Sequence, residues 1–168
     1  MNRLNKIVIL LVASISILVL VSSSNYQTSK SQPSSQSDYT EVDVKIGNKP
    51  YTLFIADTQE KRVKGLSNNE DLTNNQGMLF AFDTKEYHSF WMKDMKYPLD
   101  FIFLDENKVI DIRQNISPDT YPNIITPKSP ANNVLEIHAG EVVKSGLNIG
   151  DYIDIEWYNK IIAGVAEW

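Results

Sequence analysis

Two pairs of alternating apolar runs, each joined by two turn-forming residues, constrain this chain most. "YTEVDVKIG" and "KPYTLFIAD" flank Gly47-Asn48, and "LDFIFLD" and "KVIDIRQNI" flank Glu106-Asn107. Successive side chains on a strand point to opposite faces, so this period around such turns predicts two β-hairpins. Further strands are expected at "GMLFAF", "HSFWM", "NVLEIHA" and "DYIDIEWY". Two short helices interrupt them. In "ADTQEKRVKGL", Asp57 with Glu60 three positions later resembles a capping box, and Gly65 suits a left-handed end. In "AGEVVKSGL", Glu141 favours the positive N-terminus, Lys144 lies in the last turn and Gly146 terminates it. The fold expected is mainly β (α+β at the margin), a compact β-barrel or sandwich of short antiparallel strands with two short helices. No G-x-G-x-x-G or G-K-[ST] stretch points to a parallel nucleotide-binding sheet.

Three segments precede and make up this pattern. In "MNRLNKIVILLVASISILVLVSSS" a basic start (Arg3, Lys6) leads into a run from Ile7 to Val21 that is apolar but for Ser14 and Ser16. Residues 1–21 therefore read as a signal peptide or an N-terminal membrane anchor. At about 1.5 Å per residue the run covers roughly 22 Å of a core about 30 Å thick, which suits cleavage. Tyr26 as an interfacial aromatic, and the lack of a clean Ala-x-Ala site, suit retention, the preferred reading. Either way the rest of the chain is expected outside the cytoplasm, anchored by this hydrophobic helix or secreted. Residues 22–38, "SSSNYQTSKSQPSSQSD", are too polar to offset the entropy of ordering and read as a disordered Ser/Gln-rich linker. Residues 39–168 form the single expected domain, a monomer. Cysteine is absent, which excludes disulfides, thiol catalysis, thiolate zinc sites and a lipid on a Cys. Beyond residue 38 there are 13 basic and 20 acidic residues, a balance of −7. Nucleic-acid binding depends on phosphate neutralisation by Lys and Arg, so that partner class is not expected.

"ADTQEKRVKGLSNNEDL", "QGMLFAFD", "HSFWMKDMKYPLDFIFLDENKVI", "VLEIHAG" and "GLNIGDYIDI" occur in the order and spacing of the domain of unknown function 192 family, DUF192, which this chain resembles over nearly all of residues 40–156. The resemblance implies a small, mainly β domain, often exported, with no activity, substrate or cofactor attached. At Asp94-Met95 the family commonly has Asn-Thr, which puts in doubt a role for a neutral amide there. Some members carry a Cys in the Pro-rich loop, which this chain does not. Residues 157–168, "WYNKIIAGVAEW", extend beyond the match.

Within "HSFWMKDMKYPLD", alternation places His88, Phe90 and Met92 on one side and Ser89, Trp91 and Lys93 on the other. The plainer reading buries Phe90 and Met92, with Trp91 covering a partly wet surface. The sharper one makes Trp91 and Lys93 an aromatic platform beside a cation, next to Asp94, as a sugar or peptide site needs. Asp100 shares a face with Ile102 and Leu104 on a strand apolar on both faces. Such a carboxylate must be paired or hydrogen-bonded, by Lys93, Arg62 or backbone amides of the preceding turn. Tying down that turn is the preferred role, and an acid or binding group in a cleft is the alternative. Glu136 and His138 share a face of "VLEIHAG" and could support proton transfer or hold a cation. With only two histidines in the chain, His138 is read instead as a helix cap or backbone partner, and no metal or cofactor is expected. In the Pro-rich segment from Asn115 to Pro130, Tyr121 could close over a groove floored by Trp91; a cover for a sheet edge is the other reading.

The function expected is a non-catalytic extracytoplasmic module binding a small ligand, glycan or envelope protein through the Trp91, Lys93 and Asp100 region. The alternative is an enzyme using Asp100 or Glu136 as acid or base, with Lys93 or Arg62 stabilising charge, although no Ser-His-Asp set or glycosidase carboxylate pair is legible. A structural or assembly protein without a pocket is the third. A cleft joining Asp100 and Lys93 favours the first two; a packed Asp100 bonded only to backbone favours the third.

Overall fold

The computed structural model describes residues 39–69 and 72–155. The expected signal or anchor, the linker, the segment 157–168 and the last part of "DYIDIEWY" lie outside the described residues. Six strands make one sheet: β1 (Thr40–Ile46), β2 (Lys49–Ala56), β3 (Gln76–Glu86), β4 (Leu99–Asp105), β5 (Lys108–Ile116) and β6 (Ala131–His138). Helix α1 (Gln59–Lys64) follows β2, and α2 (Glu141–Ser145) follows β6. The spatial order is β1-β2-β3-β6-β4-β5. Every neighbouring pair is antiparallel except β2 and β3, whose parallel pairing is reached through the α1 crossover.

Both predicted hairpins form, as β1–β2 and β4–β5. The expected barrel or sandwich of antiparallel strands does not: the sheet is mixed and unclosed, with β1 and β5 at its edges. Alternation reports which faces are buried, not whether the first and last strands meet, so it cannot separate these architectures. The tip of the first hairpin seats on α2, where the Asn48 amide donates to the Ser145 carbonyl at 3.0 Å. Gly47 has φ +57°, and a Cβ there would lie 2.1 Å from that carbonyl oxygen.

The central strands are buried on both faces. One face carries Leu53, Ile55, Leu79, Ile102, Leu135 and Ile137 and is covered by Val142 of α2 with Leu147, Ile153 and Ile155. The other carries Phe54, Met78, Phe80, Phe101, Phe103 and Val134 and is covered by Leu66, Leu72, Met92 and Ile125. "HSFWM" belongs to this second cover and is not a strand. It crosses over the sheet face, contributing an isolated bridge between Phe90 and Ile125, and the Phe90 ring packs edge-on against Phe80 and Phe101 at 5.1 and 5.8 Å. Among the described residues "DYIDI" likewise forms a bridge, Lys108 to Tyr152, and not a strand, with the Ile153 amide donating to the Asn107 carbonyl and the Val109 amide to the Asp151 carbonyl, both at 2.9 Å.

Helix α1 is capped by Thr58, whose hydroxyl accepts from the Lys61 amide at 3.3 Å, rather than by Asp57. Asp57 pairs instead with Lys61 at 2.8 Å. Gly146 ends α2, as the sequence predicts, and does so in the left-handed conformation, whereas Gly65 after α1, with φ +49° and ψ −139°, does not take the left-handed conformation expected of it. Glu141 in its first turn is buried and accepts from Lys144, Tyr51 and Lys49 at 2.7, 2.8 and 3.1 Å.

Candidate functional site

Sheet register decides which carboxylates can meet. Asp100 stands opposite Ile137, and Phe101 opposite Glu136, so Asp100 and Glu136 project from opposite faces of the same strand pair. Asp100 is fully buried on the α2 face. Its Oδ1 accepts from the Asn115 amide at 2.8 Å, and its Oδ2 from the Gly140 and Val142 amides at 2.9 and 3.1 Å. It thus caps α2 and ties the end of β5 to it, with neither Lys93 nor Arg62 as its hydrogen-bond partner. The expected cleft joining Trp91, Lys93 and Asp100 is not formed: one face of a strand pair cannot hold both sets.

A cavity of about 290 Å³ opens on the other face. Its floor is the sheet, through Phe80, Phe82, Leu99 and Glu136; α1 and the turn after it supply Arg62, Val63 and Ser67; the 89–95 segment supplies Phe90, Trp91 and Met95. Of the candidates read from the sequence, Trp91, Arg62 and Glu136 come together here. Trp91 is 54% exposed, a partly wet surface as the alternation suggested. Arg62 donates to the Asp57 and Ala81 carbonyls at 2.9 and 2.7 Å and lies 5.1 Å from the centroid of Phe82. Those contacts hold the guanidinium beside Phe82 in the wall.

Glu136 is 5% exposed, and its carboxyl meets no donor among the described residues. Removal from water penalises the charged form, and burial alone pushes its pKa up to about 8. At neutral pH the carboxyl is therefore mostly protonated, able to donate one hydrogen bond and to accept others.

The remaining candidates lie elsewhere. Lys93 and Asp94 are exposed in a turn whose carbonyls accept from the Ser67 hydroxyl and the Asn68 amide at 3.0 and 2.9 Å. Asp94 has φ +57°, a conformation that Asn and Asp tolerate better than most residues, so position 94 serves the backbone whether or not it carries an amide. These bonds hold the mouth of the cavity. His138, on the Glu136 face of β6, bonds the Leu72 carbonyl at 2.7 Å through Nε2 and lies against the Tyr97 ring at 4.8 Å. It caps no helix. Tyr121 is 46% exposed and does not line the cavity; the Pro-rich loop reaches the 89–95 segment through Ile125. That loop is also tied to edge strand β5, since the Lys128 amide donates to buried Asp111 at 3.0 Å and Arg113 donates to the Thr126 carbonyl at 3.2 Å. Asp111 was not singled out from the sequence, although its place among alternating apolar residues in "KVIDIRQNI" was a signal for burial.

The sequence model of the DUF192 family, described as Uncharacterized ACR, matches residues 42–155. A solved structure from Sinorhizobium meliloti, provisionally described as a transcription regulator, is 28% identical, with a TM-score of 0.64 over 69% of this chain and 94% of that one. Another, described as a protein of unknown function from Novosphingobium aromaticivorans, is 27% identical, with a TM-score of 0.61 over 69% of this chain and 84% of that one. No curated protein matches.

Proposed function

This chain belongs to the DUF192 family, and we propose that it is an extracytoplasmic, membrane-tethered module that binds a small ligand in the cavity over Glu136. The observation that carries this reading is a buried carboxyl with no donor among the described residues, placed in an aromatic-walled space of about 290 Å³. A partnerless polar group in a core is costly and adds nothing to packing. A few polar groups converging on apolar walls is what orients a small ligand. Trp91, exposed at the rim, offers a flat face to an incoming ring or sugar. The volume favours a small molecule over a protein or a long glycan. The description of the Sinorhizobium protein is not carried over, because a balance of −7 beyond residue 38 is unsuited to phosphate backbones. For Asp100, bonded by three amides, the role of tying the fold together is the one its contacts support.

The test is a fragment screen by NMR on the isotopically labelled chain, following the Trp91 indole and the amides of Arg62, Phe80 and Glu136. Fragments that shift these signals together, and lose affinity in Trp91→Ala, support the reading. A screen in which no compound moves them refutes it. For the tether, the chain should fractionate with membranes at full mass; a shortened form found only in the medium overturns the anchor.

A second reading has one observation in its favour. A carboxyl that titrates near neutrality is poised for general acid or base work, which gives the enzymatic alternative to Glu136, with Arg62 as charge stabiliser. It requires turnover that Glu136→Gln abolishes while ligand binding persists.

A further inference from the structure

We propose that the ligand of this cavity is a compact organic ammonium ion with an apolar body, its charged nitrogen seated at the Glu136 carboxylate. This rests on the reading of the cavity as a binding site and adds the chemical class of its occupant. Three observations carry it. Glu136 has no donor of its own among the described residues, so its carboxylate form is the one that a group with N–H donors and positive charge would complete. The walls are rings and aliphatic carbons, Phe80, Phe90, Met95 and Leu99 among them, which suits a hydrocarbon body. Of the sheet side chains that line the cavity, Glu136 is the polar one, and no group of three His, Asp or Glu side chains is assembled for a metal among the described residues, which disfavours an inorganic cation. In size, about 290 Å³ exceeds the roughly 150 Å³ in which an apolar protein cavity holds benzene.

Two cations also line the cavity, Arg62 and Lys64. The Arg62 guanidinium is held beside Phe82 by two carbonyls, and Lys64 lies 5.4 Å from the Tyr39 ring. Other ionisable groups on this face include His138 on the same strand, bonded to the Leu72 carbonyl, Tyr97 against it, Tyr39 beside Phe54, and His88 stacked on Phe82; β3 and β4 place Met78 and Phe101 opposite Glu136. Glu136 is thus the group whose ionisation an incoming cation changes, and binding releases its proton.

The experiment compares three probes of one shape, benzylammonium, benzyl alcohol and benzoate, against the full-length chain, by NMR titration of the Trp91 indole and the Glu136 amide. Benzylammonium should bind at least tenfold more tightly than the other two at about pH 8, and weaken about tenfold per unit as the pH falls below that value. Glu136→Gln should erase both the preference and the pH dependence. Trp91→Ala, an exposed rim change that leaves the core intact, should weaken all three. If benzyl alcohol or benzoate binds as tightly or better, the ammonium class is overturned while the cavity remains a binding site. If no probe moves these signals, both readings fall.

Discussion

Glu136→Gln should gain stability relative to wild type as the pH rises. In the unfolded chain Glu136 ionises at its ordinary value of 4.5, whereas in the fold its pKa lies at about 8. A raised folded pKa means that the native state holds a proton the unfolded state has lost. Stability from this group is therefore complete below 4.5, falls as the pH rises through the interval, and is exhausted above 8. At 1.36 kcal/mol per unit, the loss is about 3 kcal/mol at neutral pH and about 5 kcal/mol above the folded value. Against a whole-domain stability of about 5 to 15 kcal/mol the effect is large. Gln has nearly the same shape and no charge to lose. It leaves an amide as unpartnered as the acid was, so the intercept carries little meaning and the slope carries the test. Urea denaturation of wild type and variant at about pH 5, 7 and 8.5 measures it, with constant m-values as the control. The difference should be smallest at the lowest pH and widen by several kcal/mol. A difference that stays flat within about 0.5 kcal/mol would refute the reasoning, because Glu136 would then be as easily ionised in the fold as in the unfolded chain.

Asp100→Ala should cost at least about 3 kcal/mol in the same assay, since three backbone amides lose a shared buried acceptor; a loss below about 1 kcal/mol means the amides find other partners. Glu141 behaves oppositely to Glu136. Burial works against its charged form, but hydrogen bonds from Lys144, Tyr51 and Lys49 outweigh it and hold its pKa down at about 2. Its contribution is present above 4.5 and lost as the pH falls towards 2. Glu141→Gln should therefore flatten the acid limb of the stability profile by about 3 kcal/mol, and an unchanged limb assigns acid unfolding elsewhere. Gly47→Ala should lower the denaturation midpoint by more than a loop change normally does, because the new Cβ meets the Ser145 carbonyl at a positive φ; a neutral result means the hairpin tip lifts off α2 at little cost.

Local features were legible in the sequence. The β1–β2 and β4–β5 hairpins join neighbours in the chain, so the alternation on each side of Gly47-Asn48 and Glu106-Asn107 sufficed to find them. The Gly146 end of α2 is a backbone property of one residue and its near neighbours. "HSFWM" was misread as a strand because a segment lying across a sheet face buries alternate side chains too, here Met92 at 1% against Trp91 at 54%. Burial was legible; hydrogen-bonding partners were not. The parallel β2–β3 pair and the placing of β6 between β3 and β4 join segments far apart in the chain, and no short-range pattern encodes them.

The candidate site follows the same division. By itself the sequence determined the family, the strand-forming segments, the absence of thiol chemistry and a short set of polar residues embedded in apolar runs, Asp100 and Glu136 among them. It could not say which of the two faces the cavity. That depends on the β4–β6 register, which sets Asp100 beside Ile137 and Glu136 beside Phe101. A slip of one residue would exchange every facing side chain. Tertiary packing thus gave Asp100 three amides and an architectural role, and set Glu136, without a donor among the described residues, against a cavity.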